Sequence, residues 1–245
     1  MNLQTLTTIS AVGGVRLLLT TASPLQGIID RPSITHEFCN RQAVKILRQD
    51  GLEHYADLMS QYMNELNAGV LWADEGWRNI SHYFHPTTRK GLWQFPTAWE
   101  EFGQYMARAG KLMRRRSVRE AMFFLGAAAH LVQDMCVPHH TQLKMLTGHK
   151  QYETWAKEHH ADYGVNTHGI YREGKSVRSM ILHNALISAD LLQWVQSGVN
   201  EASYHKATAI LLPLAQRTTA GLFLQFCSSM GHNLRSGSLE TFTVA

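Results

Sequence analysis

Ser117-Val-Arg-Glu120-Ala-Met-Phe-Phe-Leu-Gly-Ala-Ala-Ala-His130-Leu-Val-Gln-Asp134-Met-Cys-Val-Pro138-His139-His140 is the stretch that decides how this chain folds. Ser117 and Glu120 stand at capping-box spacing, so a helix is predicted to open there. From Ala121 to His130 that helix is apolar on nearly every face, which places it at the buried centre of a bundle. His130 and Asp134 are four residues apart and project from one face of it. Burying an imidazole and a carboxylate is costly unless something satisfies them, and a metal ion is the natural partner. Pro138 then ends the helix.

A second pair follows in His149-Lys-Gln-Tyr-Glu153. One i, i+4 pair is weak evidence for a ligand site, but two within 24 residues, with His140 between them, read as clustered zinc sites. Upstream, Gly69-Val-Leu-Trp-Ala-Asp74-Glu-Gly-Trp-Arg-Asn-Ile-Ser-His82-Tyr-Phe-His-Pro86 reads as a loop carrying a carboxylate and an imidazole. Ser33-Ile-Thr-His36 places another histidine in the first turn of a helix.

The remaining chain reads as helical throughout. Helices are predicted over Phe38 to Arg48 and Glu53 to Leu66, broken at Asp50-Gly51, and from a capping box at Thr97-Ala-Trp-Glu100 to near Gly110. Two more run from about Val177 to Ser197, stopped by Gly198, and from Pro213 to Met230. Gly164 to Gly174 reads as a loop, and the tail after Gly231 as frayed. At 245 residues, with 44% hydrophobic and 17% charged side chains, the composition suits one soluble domain with a large core. No run of apolar residues is long enough to span a bilayer. The formal charge of +4 favours anionic surfaces such as phospholipid headgroups or nucleic acid. The run of Lys111 and Arg114-Arg115-Arg116 reads as a solvated helix end. Cys39, Cys136 and Cys227 have neither disulfide nor zinc-knuckle spacing; Cys136, although inside the ligand run, reads as a small buried hydrophobe.

Taken in order, Thr-His36 opening a helix, Ala-Asp74, Ser-His82-Tyr-Phe-His-Pro, His130-x3-Asp134-x5-His140 and His149-x3-Glu153 resemble the bacterial zinc-dependent phospholipase C family. Gln216-Arg-Thr-Thr-Ala-Gly221 is similar to that family's last helix, so the resemblance runs over about residues 33 to 230. It implies an all-α, single-domain multi-helix bundle of the zinc-dependent phospholipase C / P1 nuclease type, with a buried metal-bearing central helix. It also implies two or three zinc ions. Asp74, His82, His130 and Asp134 would hold one; Asp134 would bridge to a second, held with His36 and the chain's N-terminus; His140, His149 and Glu153 would hold a third. His139 and His85 are left as supporting or surface residues.

Two cations bridged by a carboxylate would lie about 3.5–4 Å apart and could bind opposite oxygens of one phosphodiester. A water acidified to a pKa of about 7 would attack phosphorus, with Asp74 taking or orienting its proton. The implied activity is a phospholipase C cleaving glycerophospholipid at a membrane surface into diacylglycerol and a phosphorylated headgroup, with the protein a monomer. Glu153 and the compact step from His140 to His149 favour this over a P1-type zinc nuclease, the alternative under which nucleic acid would be the partner. Trp77 could stack on a base, sit at a lipid interface or simply pack its loop. A non-catalytic helical protein with structural zinc is the remaining alternative, although structural sites are usually closed and cysteine-rich. Glu75 follows Asp74 where the family's choline-lipid hydrolases have tyrosine, so headgroup preference does not carry over.

The family is exported, which implies a secreted or periplasmic protein. Residues 1–22 read as a leader or N-terminal extension, and 23–245 as one zinc-dependent hydrolase domain. The apolar run Ile9 to Thr20 is interrupted by Arg16 and preceded by no basic residue, a poor signal peptide that leaves a cytoplasmic location open. The family's N-terminal ligand is a tryptophan, and no tryptophan precedes Trp72 here. Cleavage after Ala22 would start the chain at Ser23, thirteen residues before His36.

Overall fold

The structure is a computed structural model that describes residues 33–171 and 176–235. The proposed leader at residues 1–22, Ser23, part of the Gly164 to Gly174 loop and the tail beyond Arg235 lie outside the described residues. Among the described residues nine α-helices follow one another: α1 (Ile34–Gln49), α2 (Glu53–Gln61), α3 (Met63–Asp74), α4 (Ala98–Arg114), α5 (Val118–Asp134), the single turn α6 (Pro138–Thr141), α7 (His149–His159), α8 (Ser179–Ala189) and α9 (Glu201–Arg235). Short 3-10 turns occupy Gly76–Ser81, His160–Tyr163 and Leu192–Trp194, and there is no strand among the described residues.

The apolar stretch does become the central helix. Every side chain of α5 from Phe124 to Asp134 is buried, with α3 and α4 packed against it most extensively and α9, α8 and α1 closing the remaining sides. Two glycines make the α3–α5 crossing close. A Cβ on Gly126 would lie 2.0 Å from the Leu66 carbonyl oxygen, and one on Gly69 would lie 1.9 Å from that of Phe123. This contact explains why Gly69 is tolerated inside a helix, where it costs backbone entropy, and why the segment expected to be a loop from Gly69 is helical as far as Asp74.

Other boundaries also differ from expectation, for local reasons. Thr97 does form a capping box with Glu100, because its extended backbone (φ −89°, ψ 162°) aims the hydroxyl at the Glu100 amide. Ser117 has ψ 68° and makes no side-chain cap, so the second expected capping box is absent. The helix expected over Glu53 to Leu66 is split at Tyr62, and α4 runs on past Gly110 to Arg114. The segment from Val177 to Ser197 holds only α8 and one 3-10 turn before Gly198, whose φ is 85°. Pro213 lies inside α9 rather than at its start; its missing N–H leaves one carbonyl without a helical partner, a loss that the packing of this long buried helix outweighs. The same helix continues past Gly231 to Arg235. Asp50, at the α1–α2 break, also accepts hydrogen bonds from the His168 and Gly169 amides and the Tyr171 hydroxyl at 2.8–2.9 Å, which pins the loop before α8.

Substituting alanine for Gly126 should therefore separate α3 from α5. Thermal unfolding is expected to show a loss of about 1–3 kcal/mol, a fall in midpoint of about 2–4 °C per kcal/mol for a chain of this size.

Candidate metal centre

Helix ends meet around the C-terminal end of α5. His36 comes from the first turn of α1, Asp74 is the last residue of α3, and His82 follows the 3-10 turn Gly76–Ser81. His130 and Asp134 close α5, His140 lies on α6, and His149 and Glu153 lie on the first turns of α7. All eight expected ligand residues fall into three groups whose candidate atoms lie within 4.8 Å of one another: His36, His130 and Asp134; Asp74, His82 and His130; and His140, His149 and Glu153. His36, Asp74, His82, Asp134, His140, His149 and Glu153 line one open cavity of about 1250 Å³.

The protons on the imidazoles can be placed from their neighbours. His82 Nε2 donates to the Ala73 carbonyl at 3.1 Å, so its Nδ1 carries a bare lone pair. That lone pair lies 2.8 Å from Asp134 Oδ2 and 3.2 Å from His130 Nε2. His140 Nδ1 donates to the His82 carbonyl at 3.2 Å, which turns its Nε2 towards His149 Nε2, 3.1 Å away. Glu153 Oε1 stands 2.8 Å from the second of these nitrogens and 3.4 Å from the first.

His36 is fixed by a longer chain of inference. Thr219 Oγ1 spends its proton on the Ala215 carbonyl (2.7 Å), so it can only accept from Gln133 Nε2 (3.1 Å). Gln133 Nε2 also donates to Asn40 Oδ1 (3.1 Å), and Asn40 in turn donates to Asn67 (3.0 Å). The Gln133 oxygen therefore faces His36 Nδ1 at 2.8 Å and accepts a hydrogen bond from it, which leaves Nε2 unprotonated and 3.5 Å from Asp134 Oδ1. Gln133 was not singled out from sequence. The available signal was an amide side chain on an otherwise apolar helix, next to Asp134.

Such a convergence of imidazole nitrogens and carboxylate oxygens is what a cation requires. In a tetrahedral zinc site with bonds of about 2.0–2.1 Å, donor atoms lie about 3.3 Å apart, close to the 3.5 Å from His36 Nε2 to Asp134 Oδ1, the 3.2 Å from His82 Nδ1 to His130 Nε2 and the 3.1 Å from His140 Nε2 to His149 Nε2. Asp134 Oδ2 has no donor aligned for a hydrogen bond despite its buried, crowded position, and His130 Nδ1 has no partner. Burial lowers the pKa of His82 and His36 against the pull of Asp134, which disfavours a second proton on either ring. Burial also works against charge on His130 and His140, but Asp134 outweighs it: His130 is raised, and His140, helped by Glu153, is raised to about 9. Burial would neutralise Asp134, yet the surrounding imidazoles, led by His130, hold it well below the usual carboxylate range. The donor set is nitrogen and oxygen only, and it fits zinc.

The spare histidines stay spare. His139 is fully buried, bonds through Nε2 to the Thr147 carbonyl (3.1 Å) and stacks on His149 with ring centres 5.0 Å apart. Burial, together with the charge of His149, lowers it to about 4, so it is neutral. The ring of His85 accepts from the Thr87 and Thr88 amides in its own turn. Cys136 is buried with its thiol pushed far up by that burial, which excludes a thiolate nucleophile at neutral pH.

Residues 35–204 match the family described as zinc dependent phospholipase C, over more than half of the 245 residues. The chain is 24% identical over 185 residues to a phospholipase C of Clostridium perfringens, covering 65% of this chain and 45% of that one. It is 25% identical over 194 residues to a phospholipase C of Bacillus cereus, covering 66% of this chain and 69% of that one. In fold it is similar to the alpha toxin of Clostridium absonum (TM-score 0.72, 16% identity, 81% of this chain and 65% of that one). It is also similar to the alpha-toxin of Clostridium perfringens (TM-score 0.68, 21% identity, 83% and 64%). The chain spans about half the length of the clostridial phospholipases it matches. With its ordered set of histidines and carboxylates gathered at the end of one buried helix, the chain belongs to the zinc-dependent phospholipase C family.

Proposed function

We propose that this protein is a phospholipase C that cleaves glycerophospholipid into diacylglycerol and a phosphorylated headgroup, using two or three zinc ions in one domain over residues 23–245. The observation that carries the reading is the placement of Asp134 at the floor of the open cavity. Its Oδ1 faces His36 while its Oδ2 faces His82 and His130, the arrangement of a carboxylate shared by two cations. His36 and Asp134 would hold one ion; Asp74, His82, His130 and Asp134 a second; His140, His149 and Glu153 a third. Bound there, zinc supplies a Lewis acid for phosphoryl oxygens and acidifies water to a pKa near 7.

The chain's own residues do the rest. Asp74, half-buried on the cavity wall, accepts the proton of the attacking water. As the new bond to phosphorus forms, the bond from phosphorus to the glycerol oxygen breaks, and that oxygen leaves with a proton from solvent. Gln133, bonded to His36 Nδ1, keeps Nε2 of that ring turned to the cavity. The same reading has the protein acting outside the cytoplasm and as a monomer.

Zinc-loaded protein should release diacylglycerol from mixed phospholipid vesicles. Run beside single-stranded DNA and RNA at matched low salt, nucleotide release without diacylglycerol would move the assignment to a P1-type nuclease, a reading to which the exposed Trp77 on the cavity wall lends a stacking surface. Activity on neither would leave a non-catalytic zinc protein.

Asp134→Asn should lower the rate about 1000-fold, equivalent to roughly 4 kcal/mol of barrier, and by more than Glu153→Gln, which touches one group only. Equal losses at equal zinc content, read by elemental analysis, would remove the bridge. Gln133→Leu is expected to weaken one zinc by about 10–100-fold in a chelator competition, with circular dichroism showing the helices retained.

A further inference from the structure

Two surface segments beside the cavity share a composition that the hydrolytic reading does not use. Residues 76–99 and 135–152 contain no aspartate or glutamate, although they carry Arg78, Arg89, Lys90, Lys144 and Lys150. Four of these cations, Arg89, Lys90, Lys144 and Lys150, are exposed. The same two segments hold the two most exposed large apolar side chains among the described residues, Leu146 at 90% and Trp93 at 65%, and also Trp77 and Met145, each about 40% exposed. Single exposed apolar residues need no explanation, but a group of them on acid-free loops does.

The segments form one face. Leu143 packs against the buried cluster of Ile80, Tyr83, Leu92 and Phe95, so its loop is seated on the residues that flank Trp93. The Phe84 amide donates to the His140 carbonyl at 3.2 Å, a second tie between the segments. Leu146 is three residues from Leu143, a reach of about 10 Å at most. Met145, Lys150, Trp77 and Tyr83 line the cavity itself, so this face adjoins its mouth.

The backbone is shaped to present these side chains. Arg89, Trp93 and Leu143 have φ of 60°, 51° and 55°, a region that side-chain-bearing residues rarely occupy and that tends to mark functional segments. At Leu143 the result is one side chain turned onto the buried cluster, followed by Lys144, Met145 and Leu146 all standing in solvent.

We propose that this face docks the protein on an anionic phospholipid surface, with Trp93, Met145 and Leu146 entering the interface and Arg89, Lys90, Lys144 and Lys150 contacting headgroups. Tryptophan is favoured at the boundary between headgroups and chains, and clustered lysine and arginine bind negatively charged leaflets. The proposal rests on the phospholipid reading of the cavity and adds where and how the protein meets its substrate's surface.

Flotation with vesicles tests it, using phosphatidylcholine alone and phosphatidylcholine with about one-third phosphatidylglycerol at about 0.1 M salt. The protein should float with the anionic vesicles in preference to the neutral ones. Trp93→Ser combined with Leu146→Asp should lower that partition at least tenfold, and Lys90→Glu combined with Lys144→Glu should abolish the preference for anionic lipid. Hydrolysis of a water-soluble aryl phosphodiester, measured on the same samples, should be unchanged in both variants. Wild-type protein that does not float, or variants that float as it does, would overturn the proposal. So would a dimer broken by Leu146→Asp in protein that does not bind vesicles, which would make the face a self-association surface. Vesicle binding that depends on Trp93 and Leu146, without hydrolysis of any phosphodiester, would keep the docking face and reject the enzymatic reading.

Discussion

A bare imidazole lone pair lies 2.8 Å from a carboxylate oxygen in the interior of this protein, and the rest of the structure depends on what separates them. His82 donates its Nε2–H to the Ala73 carbonyl, so its Nδ1 and Asp134 Oδ2 are both acceptors. A second proton on His82 would relieve the contact, but burial disfavours it. His140 and His149 bring their Nε2 atoms to 3.1 Å beside Glu153, where Asp134 and Glu153 favour a positive charge on His140 that a cation could supply instead. A divalent cation bound there would turn repulsion into coordination, and the energy of coordination would become part of the energy of folding.

The fold is arranged to hold those lone pairs in place. α5 is buried on all sides from Phe124 to Asp134, and the glycine crossing at Gly69 and Gly126 draws α3 against it, which brings Asp74 to the group containing His130. Behind His36, the network of Gln133, Asn40, Asn67 and Thr219 fixes one ring orientation. Backbone carbonyls orient His82 and His140 in the same way. These supports bind no substrate; they decide which nitrogen each ring offers.

Much of this was legible in the sequence, because the ligands follow helical geometry. The i, i+4 pairs His130–Asp134 and His149–Glu153 are contiguous in the chain, and the all-round apolar run before His130 could only be a central helix. What could not be read depended on contacts between distant segments. Gly69 suggested a loop because its partner, the backbone of α5, is more than fifty residues away. Ser117 has the right spacing for a capping box, but ψ at that residue is set by the turn that brings α4 into α5. Gln133 became informative only once Thr219, 86 residues on, fixed the direction of its amide.

X-ray absorption at the zinc edge tests the central claim most directly. The account predicts bound zinc surrounded only by nitrogen and oxygen at about 2.0–2.2 Å, with no sulfur near 2.3 Å and a second metal at about 3.5–4 Å. A sulfur shell, or protein that binds no zinc while retaining its full helical content and its packed core, would contradict it.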